Sequence, residues 1–398
     1  MRDKRSQFFF SFSTSISKII GLAVLARLLI LLTLPIEGLQ GYGDTHHFFR
    51  LAELNGFPYI HYWSEFPPIF PFLSTILYYI AGGREHVYLY LFYLFMMCVD
   101  CGNLYLFWKI LTILYGSDPP GDRAIVFLIV LISLPYFWWY FDTLAVFCML
   151  GSIYLIFNRK NLGAGIILGI GILVKVFPVV TLATAYIQGG IRQVIRIIGV
   201  GFTIVIFTFG LFLLISPEFT QASMVSQFSK GSWETVWALI DGNRGTGNFG
   251  AWEERYDPST ARLRRGNPAI IPGWFVVGFG GLIGLFGLIK SEKRNLTGAI
   301  AASLFGLCLL FLVSPGWSVQ WTIYLLPLVL LIFPLRQAVL LSVVMIFINV
   351  LEWPVLLSRG YFQILPFTII LRTVVLILMV VLCLTIMRGT KQPGGSGK

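Results

Sequence analysis

The stretch GDTHHFFRLAELNGFPYIHYWSEFPPIFP, residues 43–71, follows the first long apolar run of the chain. It combines carboxylates, histidines, aromatic rings and rigid prolines, and it is too polar to cross a bilayer as an ordinary helix. We therefore expect the chain to hold this stretch at a membrane surface, beside the first membrane-spanning helix.

The composition predicts an all-α integral membrane protein around that stretch. The 398 residues are 57% hydrophobic and 12% charged, and the mean hydropathy is +0.81, which exceeds what a soluble core requires. Apolar runs recur from 19–34 to 364–387, and each crossing needs about 20 residues. We expect a bundle of about 11 to 13 transmembrane helices with surface helices in the first outer loop. No small-residue cleavage site follows the first run, so we expect it to be retained.

The net charge of +11 is interpreted as a topology signal rather than as a nucleic-acid-binding surface, because basic residues in short loops mark the cytoplasmic face. Two assignments bring the basic loops to one face. Residues 67–81 lie along the outer surface, and 163–175 and 177–188 form two short helices with their bend outside. An ordinary second span at 67–81 is the alternative, and it inverts every later loop. The basic groups are Arg2, Lys4, Arg5, Arg159, Lys160, Arg192, Arg196, Lys290 to Arg294, Arg336 and Arg388 to Lys391.

This topology leaves two long segments outside and keeps the cytoplasmic loops short, so any chemistry is expected on the outer side. The predicted order is a cytoplasmic N-terminus (1–18), a first transmembrane helix (19–34), an outer loop that carries the chemistry (35–86), transmembrane helices (87–215), an outer loop that serves as a lid (216–270), C-terminal transmembrane helices (271–387) and a cytoplasmic tail (388–398).

We expect no metal or other cofactor, and no disulfide bonds. The five cysteines all lie in apolar runs, and Cys98-x-x-Cys101 has no partner pair or histidine motif. A rival metal site is suggested by the acids and histidines crowded between residues 44 and 61. Adjacent histidines point to different sides of a helix, however, and no His-Glu-x-x-His spacing exists. The crowded residues are Asp44, His46, His47, Glu53 and His61.

The acid at the start of the outer loop, Asp44, is the strongest candidate for chemistry. It follows Gly41-Tyr42-Gly43 and precedes a short helical pattern, so a plain N-cap is the structural alternative. Polar groups gathered beside an apolar wall are typical of a site for an amphiphilic substrate. A carboxylate at that depth can take a proton from a hydroxyl nucleophile.

Four motifs, taken in order, resemble those of the GT-C glycosyltransferases. The resemblance is strongest to the polyprenyl-phosphate-mannose-dependent branch that includes family 87, and it covers residues from about 20 to 330. The motifs are Asp44 with Phe48, Gly56-x-Pro58-Tyr59 and Glu65-Phe-Pro-Pro68; Phe141-Asp142-Thr-Leu144; Leu173-Val-Lys175-Val-Phe-Pro178; and Ser314-Pro-Gly-Trp317-Ser-Val-Gln320-Trp321 with Leu-Leu-Pro327.

This resemblance implies an inverting transfer. A lipid-phosphate sugar donor approaches from the outer leaflet, and the first-loop acid, Asp44, deprotonates the acceptor hydroxyl. The sequence departs from the family pattern at Phe48, where Tyr is common, and at Tyr140-Phe141-Asp142, where Gly-Gln-Asp or His-Phe-Asp is frequent. Both departures leave the acid intact and bear on substrate specificity.

Further substrate-binding candidates follow from the motifs and from the cost of polar groups at membrane depth. Asp142 either binds substrate or caps its helix, and Lys175 either holds the donor phosphate or extends to the headgroups. A sugar-stacking role for Trp317 competes with that of an interface anchor. The complete set is Asp142, Lys175, Tyr59, His61, Glu65, Arg84, Trp317 and Gln320.

The predicted function is therefore that of a multi-pass hexosyltransferase of the plasma membrane with its site on the extracytoplasmic side. The expected donor is a polyprenyl-phosphate sugar, with mannose as the sugar, and the expected acceptor is a glycolipid or glycan within the bilayer. Two alternatives stay open. A lipid or sugar transporter predicts paired repeats and polar residues at the membrane midplane. A ligase that uses a lipid-pyrophosphate donor predicts an arginine-rich late loop, which is present here as Arg244, Arg255, Arg262, Arg264 and Arg265.

Overall fold

A computed structural model describes residues 15–117, 119–247 and 250–389. The predicted N-terminus with Arg2, Lys4 and Arg5, part of the Gly-rich run 241–250, and the tail from 390 fall wholly or partly outside these residues. The helices are α1 Ile16–Thr33, α2 Ile36–Gln40, α3 Thr45–Ala52, α4 Ile69–Ile80, α5 Glu85–Tyr115, α6 Gly121–Ser133, α7 Tyr136–Trp139, α8 Asp142–Phe157, α9 Asn161–Val174, α10 Thr181–Ile215, α11 Pro217–Ser229, α12 Val236–Asp241, α13 Gly273–Ile289, α14 Leu296–Val313, α15 Thr322–Ile332, α16 Leu335–Val350 and α17 Leu365–Met387.

The chain is an all-α integral membrane protein, as the composition predicts. Six helical stretches of the described residues are long and apolar enough to cross a membrane. Large apolar side chains such as Leu214 and Trp274 face outward, at 85% and 78% exposure, which suits a surface in contact with lipid. The predicted total of about 11 to 13 crossings stays a prediction. The six stretches are Ile16–Thr33, Glu85–Tyr115, Phe177–Ile215, Leu296–Val313, Leu335–Arg359 and Phe362–Met387, and the shorter apolar helices are Ile69–Ile80, Asp142–Phe157, Asn161–Val174, Gly273–Ile289 and Val319–Ile332.

The helix after the double proline is short. Helix α4 has 12 residues, and Pro68 is its N-cap residue, as proline is tolerated at the N-terminal end of a helix. Its length of about 18 Å is well below the roughly 30 Å of a bilayer core. This length agrees with the predicted surface helix and argues against an ordinary second span.

Two bends shape the middle of the chain. Helix α9 ends where Lys175 turns to extended backbone, and α10 is interrupted at Gly190, whose φ of 67° favours glycine. The predicted pair of short helices at 163–175 and 177–188 is therefore present. Helices α9 and α10 approach each other closely at Gly169, where an added Cβ would lie only 2.8 Å from the Gly201 carbonyl oxygen.

The loops that the charge pattern assigns to the cytoplasm meet at one end of the bundle. The Arg294 amide donates to the Ile187 carbonyl at 2.9 Å, and the Glu292 amide donates to the Met387 carbonyl at 2.7 Å. Gln193 donates to the Asn161 side chain at 2.8 Å. These loops, which are distant in sequence, therefore lie together, and their assignment to the cytoplasm stays a prediction.

The segment 216–270, predicted to lie outside and called the outer segment below, packs on the predicted first outer loop. The Trp63 amide donates to the Arg255 carbonyl at 3.0 Å, and the Ser64 amide donates to Ser223 Oγ at 2.9 Å. Helix α11 and the 3₁₀ turns Trp252–Tyr256 and Pro258–Arg262 carry these contacts. The two outer segments therefore form one layer at the end of the bundle opposite the basic loops.

Candidate functional site

Asp44 lies at the start of α3, but its side chain does not cap that helix. The Phe48 amide donates to the Asp44 carbonyl at 2.8 Å, and the half-buried carboxylate makes no cap hydrogen bond. Burial raises the pKa of this carboxyl, and the positive charges of Lys175 and Lys230 oppose the shift. Asp44 therefore caps α3 through its backbone carbonyl alone, and its carboxylate is left available to a ligand.

Asp142 and Lys175 form an ion pair close enough to Asp44 to influence its carboxylate electrostatically. Asp142 begins α8 and Lys175 follows α9, and their side chains form an ion pair of 2.6 Å. The Tyr324 hydroxyl of α15 donates to the same Asp142 oxygen at 3.0 Å. Asp142 is 1% exposed, while the Lys175 side chain is 16% exposed. The buried acid therefore holds the lysine in place and leaves part of the lysine side chain accessible.

Aromatic rings surround that ammonium. The Lys175 Nζ lies 5.2 Å from the ring centre of Phe141, 5.9 Å from that of Phe177 and 5.8 Å from that of Trp321. Such rings attract a cation through their faces. The ammonium is thus enclosed by protein instead of extending to lipid headgroups. Gln320 is half-buried and precedes Trp321 in the same 3₁₀ turn.

The outer segment adds Lys230 and Glu234, which the sequence did not single out as binding residues. Lys230 Nζ lies 3.8 Å from the ring centre of Trp233. Burial lowers the pKa of Lys230 to about 8, although Glu65, Glu234 and Asp44 favour its charged form. Burial and the neighbouring Glu352 raise the pKa of Glu234 well above its ordinary value.

Glu65 joins the two outer segments. It accepts a hydrogen bond of 2.8 Å from His47 Nε2 and one of 2.9 Å from Arg255, and the side chains of Glu65 and Arg255 are both 0% exposed. Burial opposes ionisation, but these two partners lower the pKa of Glu65 to about 2. Glu65, which the sequence predicts as a substrate ligand, therefore connects the outer segment to the first loop.

His47 is held as one neutral tautomer. The Trp252 indole N–H donates to His47 Nδ1 at 2.8 Å, and an indole nitrogen can only donate. The ring proton must then sit on Nε2, which donates to Glu65. This arrangement keeps His47 from acting as a metal ligand together with His46, whose Nδ1 bonds Glu85 at 2.6 Å.

Three of the candidates lie away from the acid pair. The Tyr59 hydroxyl donates to the Phe66 carbonyl at 2.8 Å, and the ring is 2% exposed. His61 is exposed and accepts from the Phe57 amide at 2.9 Å. Arg84 is exposed at the start of α5. No contact links these three side chains to Asp44, Asp142 or Lys175 in the part of the chain that the structure describes.

Trp317 is enclosed by protein. Its indole N–H donates to Asn349 at 2.9 Å, the Arg372 guanidinium lies 4.8 Å from its ring centre, and the residue is 1% exposed. Arg372 also pairs with the buried Glu352 at 2.8 Å. Trp317 is therefore packed inside the protein against Asn349 and Arg372, and its predicted role as a sugar-stacking residue or an interface anchor stays a prediction.

A buried network supports the start of α8. Arg27 pairs with Asp100 at 2.5 Å, Asp100 accepts from the Thr143 hydroxyl, and Asn103 donates to the Thr143 carbonyl at 3.1 Å. Thr143 follows Asp142 directly. The buried carboxylate of Asp100 is thus paired with Arg27 of α1.

The model of glycosyltransferase family 87 matches residues 66–315, more than half of the chain. Asp142, Lys175 and Lys230 fall within the matched range, and Asp44 precedes it. No curated protein and no solved structure matches significantly.

Proposed function

Because the chain belongs to glycosyltransferase family 87 and is a membrane glycosyltransferase, we propose that it transfers a hexose from a polyprenyl-phosphate sugar to a hydroxyl group. The sugar is mannose, and the acceptor is a glycolipid or glycan. Transfer inverts the anomeric configuration and uses no metal or other cofactor. It takes place on the extracytoplasmic side of the plasma membrane, the side opposite the basic loops.

The observation that carries this proposal is the meeting of Asp44, Asp142 and Lys175 from three separate segments. Asp44 has an accessible carboxylate whose pKa is raised, as suits a base that works near neutral pH. Lys175 is fixed by Asp142 at 2.6 Å and offers a point charge to a phosphate. A carboxylate that makes no hydrogen bond to another described residue, in electrostatic range of a positioned cation, matches a reaction that takes up a proton and releases a phosphate.

The reaction proceeds in one displacement. The acceptor oxygen attacks the anomeric carbon of the sugar as its proton passes to Asp44, and the bond between that carbon and the phosphate oxygen breaks. The bonding electrons leave with the lipid phosphate, whose charge rises from one negative charge to two. Lys175 stabilises that added charge, and stabilising charge as it develops is a large part of enzymatic rate enhancement.

The charges of the site favour a monophosphate donor over a pyrophosphate. Lys175 is already paired with Asp142, and Arg255 of the arginine-rich loop is buried against Glu65. Arg265 is paired with Glu254. A pyrophosphate carries about two charges that would need further cations. This pairing of the cations with acids supports a transferase. The ligase alternative has fewer unpaired arginines in the late loop than the sequence suggested.

The test is a donor panel with purified protein in liposomes. We expect transfer of labelled mannose from polyprenyl-phosphate mannose, and at least about 100-fold less transfer of the same sugar from a polyprenyl-pyrophosphate donor. A donor with glucose in place of mannose tests the sugar. Efficient transfer from the pyrophosphate donor would reject the charge argument.

A flux assay separates this function from transport. Labelled donor or sugar is placed on one side of the same liposomes, and its movement is followed without acceptor. We expect no protein-dependent flux. Flux without product formation would contradict the proposed transferase reaction and favour the transporter.

A further inference from the structure

Lys230 lies against the same aromatic wall as Lys175. It follows the last residue of α11, and its Nζ is 3.8 Å from the ring centre of Trp233. The Trp233 ring meets the Trp321 ring edge to face, with 6.5 Å between centres. The Trp321 ring centre is 5.8 Å from Lys175 Nζ. Two ammonium groups from different segments thus flank two neighbouring tryptophans.

The position of Trp233 is fixed by the segment that follows α14. The Trp233 amide donates to the Pro315 carbonyl, and the Trp317 amide donates to the Trp233 carbonyl, each at 3.1 Å. A Cβ at Gly316 would lie 2.2 Å from the Trp233 ring, so only glycine allows this approach. The Ser-Pro-Gly-Trp motif therefore fixes the position of Trp233 and, through the Trp233 ring, that of Lys230.

The ammonium of Lys230 is also confined on a second side. A Cβ at Gly247 would lie 2.3 Å from both Cε and Nζ of Lys230, so the backbone of the outer segment passes directly over the end of this side chain. Lys230 and Asp44 influence each other electrostatically, as do Lys230 and Lys175. Lys230 is therefore a positioned charge of the same site and not a mobile surface lysine.

We propose that Lys230 is a second ligand of the donor phosphate. It lies at the Trp233 end of the Trp233–Trp321 pair, and Lys175 lies at the Trp321 end. This inference rests on the proposed transfer from a lipid-phosphate sugar. Lys175 is already paired with Asp142, so Lys230 adds a second cationic group near the bound phosphate. When the bond to the anomeric carbon breaks, the phosphate gains a second negative charge, and the two lysines share it.

Direct binding tests this role without requiring turnover. The probes are farnesyl phosphate, farnesol and inorganic phosphate, measured with the full-length protein in detergent. We expect Lys230→Met to weaken farnesyl phosphate binding about 10- to 100-fold, as the loss of a charge-assisted contact does. Farnesol binding should be unchanged. Lys230→Arg should restore most of the affinity, because the charge is kept.

A matched control is Lys290→Met. Lys290 Nζ also lies over an aromatic ring, 4.2 Å from the centre of Phe286, but it follows the far end of α13. This variant should bind farnesyl phosphate like the wild type. Thermal unfolding of each variant shows whether it is folded, and the Lys230→Arg variant keeps the test valid if Lys230→Met is unstable.

Equal affinity of the wild type and Lys230→Met for farnesyl phosphate would overturn the proposal. Binding of inorganic phosphate as tight as that of farnesyl phosphate would also overturn it, because the site would then serve free phosphate. Lys230-dependent binding of farnesyl phosphate in a protein that transfers no sugar would reject the proposed reaction and keep the phosphate site. Normal transfer by Lys230→Met would reject only the role of Lys230.

Discussion

At the scale of single residues, the site depends on charges whose partners come from distant parts of the chain. The Asp142 carboxylate pairs with Lys175 Nζ at 2.6 Å, and Lys230 Nζ lies 3.8 Å from the ring centre of Trp233. Asp44 is the one acid of this group whose carboxylate makes no hydrogen bond to another described residue. A paired acid positions a cation, whereas an unpaired one is left for chemistry, so the two aspartates have different roles.

Asp142→Asn tests the positioning role. The amide keeps the volume but cannot balance the ammonium of Lys175, so we expect kcat/KM for the donor to fall about 10- to 100-fold. Steady-state kinetics with varied donor measure the change. Asp122→Asn, at an exposed acid in the first turn of α6, should leave kcat/KM unchanged. Wild-type kinetics in Asp142→Asn would contradict the role of the ion pair.

The pH dependence of donor use tests Lys230. Burial lowers its pKa to about 8, with Glu65, Glu234 and Asp44 opposing and Lys175 reinforcing the shift. Its charge is present below that pH and is lost above it. We therefore expect kcat/KM for the donor to fall as the pH rises through about 8, since this ratio reports the free enzyme. In Lys230→Arg the alkaline fall should disappear, and an unchanged profile there would contradict the assignment.

The sequence predicts part of this site and misses the rest for physical reasons. Asp142 and Lys175 stand out because ionisable residues between apolar runs are costly. Lys230 gives no such signal, because a lysine after an outer helix is ordinary in sequence. Glu65 and Trp317 belong to recognisable motifs, yet their burial depends on Arg255 and Arg372, which lie far along the chain.

At the scale of elements, the two outer segments are joined by one buried ion pair. Glu65 and Arg255 are fully buried, and His47 shares the same carboxylate. Removing one partner of a buried pair leaves an uncompensated charge, whereas an exposed pair contributes little. The docking of the outer segment should therefore depend far more on Arg255 than on the partly exposed Arg265.

Arg255→Met should lower the free energy of unfolding by about 3 to 5 kcal/mol. Arg265→Met, which breaks the pair with Glu254, should cost less than about 1 kcal/mol. Denaturant unfolding in detergent gives both values, and limited proteolysis of the outer segment reports its docking. Equal losses in the two variants would contradict the importance of the buried pair.

The close approach of α9 and α10 gives a second prediction at this scale. A Cβ at Gly169 would lie 2.8 Å from the Gly201 carbonyl oxygen, while a Cβ at Gly210 would meet nothing within 4 Å. We expect Gly169→Ala to lower the free energy of unfolding by about 1 to 3 kcal/mol through overpacking, and Gly210→Ala to have little effect. The same unfolding assay decides, and equal behaviour of the two variants would contradict the packing.

At the scale of the whole molecule, the charge pattern and the apolar periodicity predict the fold better than the site. Basic loops, one short helix predicted to lie on the surface and a pair of short helices predict which loops share an end of the bundle, and Arg294 contacts Ile187 at one such end. These signals are local and repeat along the chain. The Arg27 and Asp100 pair is a single contact between separate helices, and no local pattern identifies the partner of each charge.

The predicted orientation can be measured by cysteine labelling. His61→Cys lies in the first outer loop and Lys160→Cys lies in a basic loop, and both positions are exposed. We expect a membrane-impermeant maleimide to label the first in intact cells and the second only after permeabilisation. The reverse pattern would place the site on the cytoplasmic side.

The most direct test of the central claim is transfer of labelled mannose from polyprenyl-phosphate mannose by the wild type and by Asp44→Asn in the same membrane lipid extract. The amide keeps the shape of the side chain but cannot accept a proton near neutral pH, so we expect product formation to fall about 10²- to 10⁴-fold while thermal unfolding is unchanged. Turnover close to that of the wild type in the folded variant would contradict the role of Asp44 as the base.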